Sequence, residues 1–382
     1  MGSPWEFRAD VKSGATWFTL GDITDVSIFR GRRLQVDDYS VDSCTITALY
    51  PASWTTAPKL GDQISVYVHR PGPVPGHDNW SMFIGRIRDV RIDYGFVTNA
   101  DIATIECEGL QADWGRAQLN SKVLTQKLTG EQALDVAITA GLSFSSFGSR
   151  STASGQTYTG NAWELLNDLV RTEEGRLFSR LYDPLDMRSA FYMLFYGRNK
   201  QLDPSAQPFN DGTYTPNFWD GKYDAIEFRS SADNYYNQVT ITPLSVAAQT
   251  ATLAATPIFA WQKDTLDFST SQAADHALWT LNNYQTKNST LASISAIDRA
   301  QGVTSTGGEN ITLLSSTENA IGTRFAVGFR GNQYQVICEG VRITADPNQT
   351  RVTFYFSGAD TNAYLVLDNA VFGKLDSNKL GF

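Results

Sequence analysis

Cysteine, histidine and long apolar runs are what this chain has least of. Its three cysteines, Cys44, Cys107 and Cys338, stand far apart in 382 residues. An odd count without close spacing argues against a disulfide framework or a zinc site, and free cysteine packs as a small apolar side chain. The histidines His69, His77 and His276 form no His-Glu-x-x-His or His-x-His pattern, so they read as loop or solvent residues rather than metal ligands or triad members. There is no Gly-x-Ser-x-Gly elbow and no Walker loop. No metal, cofactor or catalytic residue is expected, and the chain is read as not an enzyme. No stretch reaches the ~18 apolar residues of a membrane span, and residues 1–10 have no apolar signal core. A soluble chain made in a reducing compartment, with no membrane anchor, is expected.

What is present favours β structure. Hydrophobic residues make up 42% and charged residues 19%, so the chain is globular rather than disordered. With 21 Phe, 16 Tyr and 9 Trp beside many Thr, Val and Ile, strands are favoured. Lys plus Arg number 31 against 40 Asp plus Glu, a net charge of −9. That balance argues against a basic nucleic-acid-binding face, which needs clustered cations.

One strand pattern occurs twice. Leu60-Gly61-Asp62-Gln63-Ile64-Ser65-Val66, Phe83-Ile84-Gly85-Arg86-Ile87 and Val90-Arg91-Ile92 are echoed by Ile321-Gly322-Thr323-Arg324-Phe325-Ala326-Val327, Tyr334-Gln335-Val336-Ile337 and Val341-Arg342-Ile343. Each copy ends in a further alternating run, Ile102 to Cys107 and Arg351 to Phe356. Period-two alternation between turn residues predicts strands, and their short spacing predicts a small barrel or sandwich. The copies differ in one crossing. The first carries Arg70, Pro71, Pro73 and Pro75 in a loop that cannot be an interior strand, because proline lacks the ladder donor. The second crosses through Arg330-Gly331-Asn332. The proline loop is a candidate contact between rings.

The middle has helical signals. Thr129-Gly130-Glu131-Gln132 opens a helix that Gly141 stops. Asn161 is a good N-cap for a second, with Trp163, Leu166, Leu169 and Val170 on one face, ended by Glu173-Glu174-Gly175. Strands follow at Arg176 and at Phe191 to Tyr196. A later helix is expected to show an apolar stripe of Ala274, Leu278, Leu281 and Tyr284. The expected organisation is mainly β with an α+β insert, two similar small β-barrels flanking an α+β domain. Its parts are an N-terminal barrel over 1–115, the insert over 116–200, a loop or linker over 201–222, a second barrel with one helix over 223–360, and a C-terminal arm over 361–382.

Candidate chemistry is weak. Glycosidases need two carboxylates, and Glu173-Glu174, Asp37-Asp38 and the pair Glu106 and Glu108 were weighed for that role. The last pair shares a strand face because the strand period is two, and reads as a solvated face or lumen wall. Phe209, Tyr214, Phe218 and Trp219 lie in the Pro/Asn/Asp/Gly-rich loop. They could stack on a glycan or contact a partner, or simply pin the loop to the adjacent domain.

These segments resemble a family. Gly21-Asp22-Ile23-Thr24-Asp25-Val26 followed by Gly31-Arg32-Arg33, the strands at Gly61 to Val66 and Phe83 to Val90, Ala162-Trp163-Glu164-Leu165-Leu166 running to Glu174-Gly175-Arg176-Leu177, Asn234-Tyr235-Tyr236-Asn237-Gln238-Val239, and the C-terminal Leu367 to Asp376 with Leu380-Gly381-Phe382 resemble tail-tip hub proteins of long-tailed bacteriophages. These siphophage minor tail proteins are similar to baseplate hubs, and several belong to phages of actinobacteria. The resemblance implies a structural virion component at the tail tip, assembled in the host cytoplasm. It implies a homotrimer whose two barrels per chain make a pseudo-six-fold ring adapting a six-fold tail to a three-fold tip. Implied partners are the distal tail protein ring, the tape measure protein and other minor tail or receptor-binding proteins. The hub would close the tube and open for DNA ejection, with genomic DNA passing without specific binding along an acidic wall. The alternatives are a carbohydrate-binding or glycan-cleaving adsorption protein and the distal tail protein itself.

Overall fold

The structure is a computed structural model that describes residues 6–20, 22–50, 57–69, 79–95, 101–183, 186–198, 224–229, 235–254, 256–284, 290–299, 311–318, 320–330 and 332–358. Seven strands come first: β1 (Glu6–Ser13), β2 (Thr16–Leu20), β3 (Ile23–Gly31), β4 (Ser43–Leu49), β5 (Gln63–His69), β6 (Asn79–Asp93) and β7 (Ile102–Gly109). A mixed segment follows: α1 (Gln111–Arg116), β8 (Gln118–Leu124), β9 (Lys127–Leu128), α2 (Thr129–Ala140), β10 (Phe144–Phe147), β11 (Thr152–Ala153), β12 (Gln156–Asn161), α3 (Ala162–Glu173), β13 (Arg176–Leu181) and β14 (Phe191–Tyr196). Then come β15 (Ala225–Arg229), β16 (Gln238–Pro243), β17 (Gln249–Thr252), β18 (Ala260–Thr265), α4 (Thr270–Tyr284), β19 (Thr290–Arg299), α5 (Ile311–Leu314), β20 (Arg324–Phe329), β21 (Asn332–Ala345) and β22 (Gln349–Gly358).

The repeated sequence pattern folds into a repeated structure. β5, β6 and β7 form an antiparallel meander, as do β20, β21 and β22. Each opens on a glycine at φ 82°, Gly61 or Gly322, a left-handed conformation that costs glycine little. Gly61 N–H donates to Ile87 O (2.9 Å) and Gly322 N–H to Cys338 O (2.8 Å). Each long strand then carries a bulge at the same place, between Ile87 and Asp89 or between Cys338 and Gly340. Beyond the bulge, Val90 faces Ile105 and Val341 faces Phe354. On the far side, Ile46 pairs with Ile105 as Ile294 pairs with Phe354. The two modules therefore correspond as β3-β4-β7-β6-β5 and β15-β19-β22-β21-β20.

The modules are not two separate barrels. They share one 12-stranded sheet, in the order β15-β19-β22-β21-β3-β4-β7-β6-β5-β1-β2 with β20 paired to β21, and among the described residues neither module closes on itself. The join is β3 against β21, from Val26 opposite Ala345 to Gly31 opposite Gly340. The backbones meet so closely that a Cβ on Gly340 would stand 2.3 Å from Arg32 O. Sequence alternation could not show this join, because it reports which face of a strand is buried and not which edge finds a partner. One sheet face carries the core, with Ile28, Ile46, Ile105, Val341, Ile343 and Phe354 essentially inaccessible.

The middle segment packs on that core through Phe178, Leu194 and Tyr196. Asn161 Oδ1 accepts the Glu164 N–H (2.8 Å) to start α3, and Gly141 at φ 68° ends α2. β13 and β10 flank β14 in a small mixed sheet. α4 covers the sheet β17-β16-β18 through Ala273, Ala277 and Leu281. The expected stripe is thus rotated. Ala273, His276, Ala277, Thr280 and Leu281 are buried, while Leu278 is 42% exposed. Small alanines let the helix approach the sheet, and His276 turns inward because carboxylates wait for it there.

Candidate functional site at the seam of the two modules

Where β3 meets β21, a buried ionic network ties the parts together. Glu339, in the bulge of β21, is fully buried. Its Oε2 accepts from Arg32 Nε (3.0 Å) and its Oε1 from Arg176 Nη2 (2.9 Å) and Ser357 Oγ (2.6 Å). Arg32 also donates to Gly175 O (3.1 Å) and lies over the Tyr39 ring at 4.5 Å. Burial alone would raise the Glu339 carboxyl, but Arg176 and Arg32 outweigh it and hold the group at about 2. Beside it, His276 lies between two carboxylates, with Nε2 2.7 Å from Glu174 Oε1 and Nδ1 3.1 Å from Asp267 Oδ2. Burial disfavours the imidazolium, yet the bonds to Asp267 and Glu174 push the group up to about 9. Both ring nitrogens then donate. Arg32, Arg176 and the His276 imidazolium balance Glu339, Glu174 and Asp267, so the buried network is neutral as a whole.

The network joins β3, β13, α4, β21 and β22. The cleft beside Tyr39 and Arg171 has room for about 10 Å³, roughly one water. The network's chemistry is orientation. Sequence reasoning read His276 as a loop or solvent histidine and did not single out Glu339. The signal was there: a carboxylate within the apolar run Val336 to Val341 must be buried with a partner or not be buried at all.

The weighed carboxylates have structural work. Glu173 accepts from Thr129 Oγ1 (2.8 Å) and from the Ser151 (2.8 Å) and Arg150 (3.1 Å) N–H groups, fixing a loop. Asp38 pairs with Arg171 (2.9 Å) and Lys263 (3.0 Å), and Asp37 accepts the Leu34 N–H (3.1 Å). Glu108 is ion-paired with Arg116, while Glu106 is exposed on the bare sheet face opposite Thr45. His69 bonds Asn79 (2.8 Å), and the three cysteines are free and buried. Phe209, Tyr214, Phe218 and Trp219 lie outside the described residues, as do Arg70, Pro71, Pro73 and Pro75 and His77.

The seam has an unfilled counterpart. In the second module, residues 340–345 of β21 are covered by β3, and Val341 and Ile343 are 0% exposed. The equivalent stretch of β6, Asp89 to Asp93, pairs with β7 on one edge and, among the described residues, has no strand on the other, with Val90 and Ile92 half-buried. The equivalent of β3 is β15, which ends the sheet. Its Ile226 and Phe228 are half-buried, whereas Val26 and Ile28 of β3 are 3% and 1% exposed. Among the described residues, one chain thus carries a filled junction and both halves of an unfilled one.

No family model matches the chain, and no curated protein matches it in sequence. Solved structures do match. The 43 kDa tail protein of prophage MuSo2 from Shewanella oneidensis aligns at TM-score 0.57 and 12% identity over 91% of this chain and 97% of that one. The tail protein from Neisseria meningitidis MC58 aligns at TM-score 0.58 and 12% identity over 98% and 99%. At that identity the likeness establishes the fold: a mainly β, tail-hub-like architecture over nearly the whole chain.

Proposed function

We propose that this protein is a structural component of a phage tail, a trimeric hub at the tail tip. Three copies join head to tail when β15 of one adds to the open edge of β6 in the next. The observation that carries this is the β3–β21 junction within the chain beside its equivalents on β6 and β15, which have no partner strand among the described residues. A head-to-tail contact is heterologous and gives a ring when its rotation closes. Three chains of two modules make six similar positions, which suits an adapter between six-fold and three-fold parts. The fold shared with two tail proteins, one of them from a prophage, supports this placement. The sequence resemblance points the same way, to the tail of a long-tailed phage of an actinobacterial host. In that setting the hub meets the distal tail protein and the tape measure protein, closes the tube and opens for DNA ejection. In this reading the role is non-catalytic, which the engagement of Glu173, Asp38 and Glu108 in structural contacts supports.

The repeat sets the register. Val26 faces Ala345 in the filled junction, so Ile226 should face the partner subunit's Tyr94 in the empty one. Residues directly opposite in an antiparallel pair have Cα atoms roughly 4.5–5.5 Å apart, within disulfide reach. The double variant Tyr94→Cys/Ile226→Cys, oxidised on assembled tails or on concentrated protein, should give a covalent product of three chains. Each single variant should not. Absence of cross-linking, or a ladder running past three, would sink the ring.

A further inference from the structure

Across the seam, from β22 through β21, β3 and β4 to β7, the ring leaves one face of the sheet bare among the described residues. Resting on that reading, we propose that the bare face lines the channel. At the module seam, Arg33, Arg342 and Arg351 then form a patch that contacts the phosphates of a passing nucleic-acid duplex.

Which face points inward follows from bulk. At the seam the buried face receives Phe178, Leu194 and Tyr196 of the middle segment, so the thick layer there lies on that side; only at the β5–β6 end do Leu181 and Met187 cover the other face, against Tyr67 and Ile84. In a closed ring the thicker layer takes the larger radius, and the bare face turns to the axis. Across the seam that face reads Arg351, Thr344, Ser27, Thr45 and Glu106 in one cross-strand row. The row is continuous from the second module into the first and rich in hydroxyls.

The three arginines are exposed. Arg342 lies 5.8 Å from the Phe29 ring centroid and Arg33 5.7 Å from that of Tyr355, and the two rings meet edge to face at 6.2 Å. Arg342 faces Thr353 while Arg351 faces Thr344, which makes them diagonal neighbours, roughly 7–8 Å apart by sheet geometry. Among the described residues no carboxylate forms an ion pair with any of the three, although the chain carries nine more acidic than basic groups. Like charges left together on a sheet face are unfavourable unless an external anion satisfies them. A guanidinium braced on an aromatic ring presents its donors in the fork that fits phosphate. The first module lacks the patch. There Arg91, the equivalent of Arg342, pairs with Asp93 (3.2 Å), and the equivalent of Arg351 is Ile102. A ring of three would carry three basic stripes separated by neutral or acidic sectors. The net charge of −9, taken alone, suggested a uniformly repelling wall; the local distribution differs.

The test is fluorescence anisotropy of a labelled DNA duplex of roughly 20 base pairs with the full chain, over a salt series, with light scattering on the same samples. Each phosphate contact contributes about −0.9 to the slope of log K against log salt. The variant Arg33→Gln/Arg342→Gln/Arg351→Gln should flatten that slope by about 3 and weaken binding at low salt at least ~10-fold. The exposed-arginine control Arg116→Gln should leave both unchanged. No binding by the parent chain, an unchanged slope in the triple variant, or competition by polyglutamate as strong as by duplex would overturn the proposal. Rings without patch-dependent binding would refute this inference alone. Patch-dependent binding by a chain that forms no ring would refute the ring and with it the channel placement.

Discussion

Replacing Glu339 with glutamine removes one charge from the centre of the seam while keeping the side chain's shape. Arg32 and Arg176 would remain, their side chains 5% and 3% exposed, without the carboxylate they share. The magnitude follows from the displaced titration. The carboxyl sits at about 2 in place of its ordinary 4.5. At 1.36 kcal/mol per pKa unit this amounts to about 3 kcal/mol, at the low end of what breaking a buried pair from one side costs. The group's pKa is depressed in the folded state. Its contribution is therefore full above the unfolded carboxylate's pKa and is lost as pH falls through about 2. Urea unfolding followed by tryptophan fluorescence should show Glu339→Gln less stable by about 3 kcal/mol at pH 7 and by about 1 kcal/mol at pH 3. The triple replacement Arg32→Met/Arg176→Met/Glu339→Leu should recover most of the loss, because an apolar cluster avoids desolvating the ions. A deficit below about 1 kcal/mol at pH 7, or one that does not change with pH, would refute the assignment of Glu339 as the ionic centre of the seam.

His276 should show the opposite pH dependence. Its folded pKa is raised to about 9, so its stabilisation is full below the unfolded value near 6.5 and is lost as pH rises through 9. The parent chain should lose about 3 kcal/mol between pH 6 and pH 10 that His276→Gln does not lose, read from urea midpoints at the two pH values. At the join, Gly340→Ala places a Cβ 2.3 Å from Arg32 O and 2.9 Å from Arg30 O, both backbone atoms. It should cost at least about 3 kcal/mol or abolish soluble protein, whereas Gly61→Ala, at φ 82° but with open space around it, should cost about 1 kcal/mol in the same unfolding assay.

Much of the fold was legible because local rules act on neighbouring residues. Asn161 and Gly141 mark helix ends by cap chemistry, and the two meanders declare themselves by period-two alternation. Alternation could not foretell the β3–β21 join, which is made by backbone groups that every sequence carries. In α4, apolar size is no guide to burial. The helix instead turns its alanines and a charged His276 inward, and lets Leu278 face out. The seam network escaped notice for a related reason. Arg32, Arg176, Glu174, His276 and Glu339 are scattered through the chain, and each but Glu339 alone reads as surface. Only their convergence makes burial affordable, and convergence is a property of the tertiary fold.

The same network bears on why the two modules stay unequal. Glu339 sits in the bulge of β21, and the matching bulge residue of β6 is Arg88, which is exposed. The filled junction is thus locked by buried charge, while its vacant counterpart offers Val90 and Ile92 beside the charged Arg88, Asp89 and Arg91. A lock of that kind suits a contact made once, during folding. An edge of half-buried valine and isoleucine among exposed charges suits the proposed contact between folded chains, because flanking charges discourage indiscriminate edge pairing. Introducing the lock at the second site, by Arg88→Glu, should therefore not strengthen assembly: among the described residues no arginine stands there as Arg32 and Arg176 stand around Glu339, and an unpaired carboxylate at a forming strand edge opposes it.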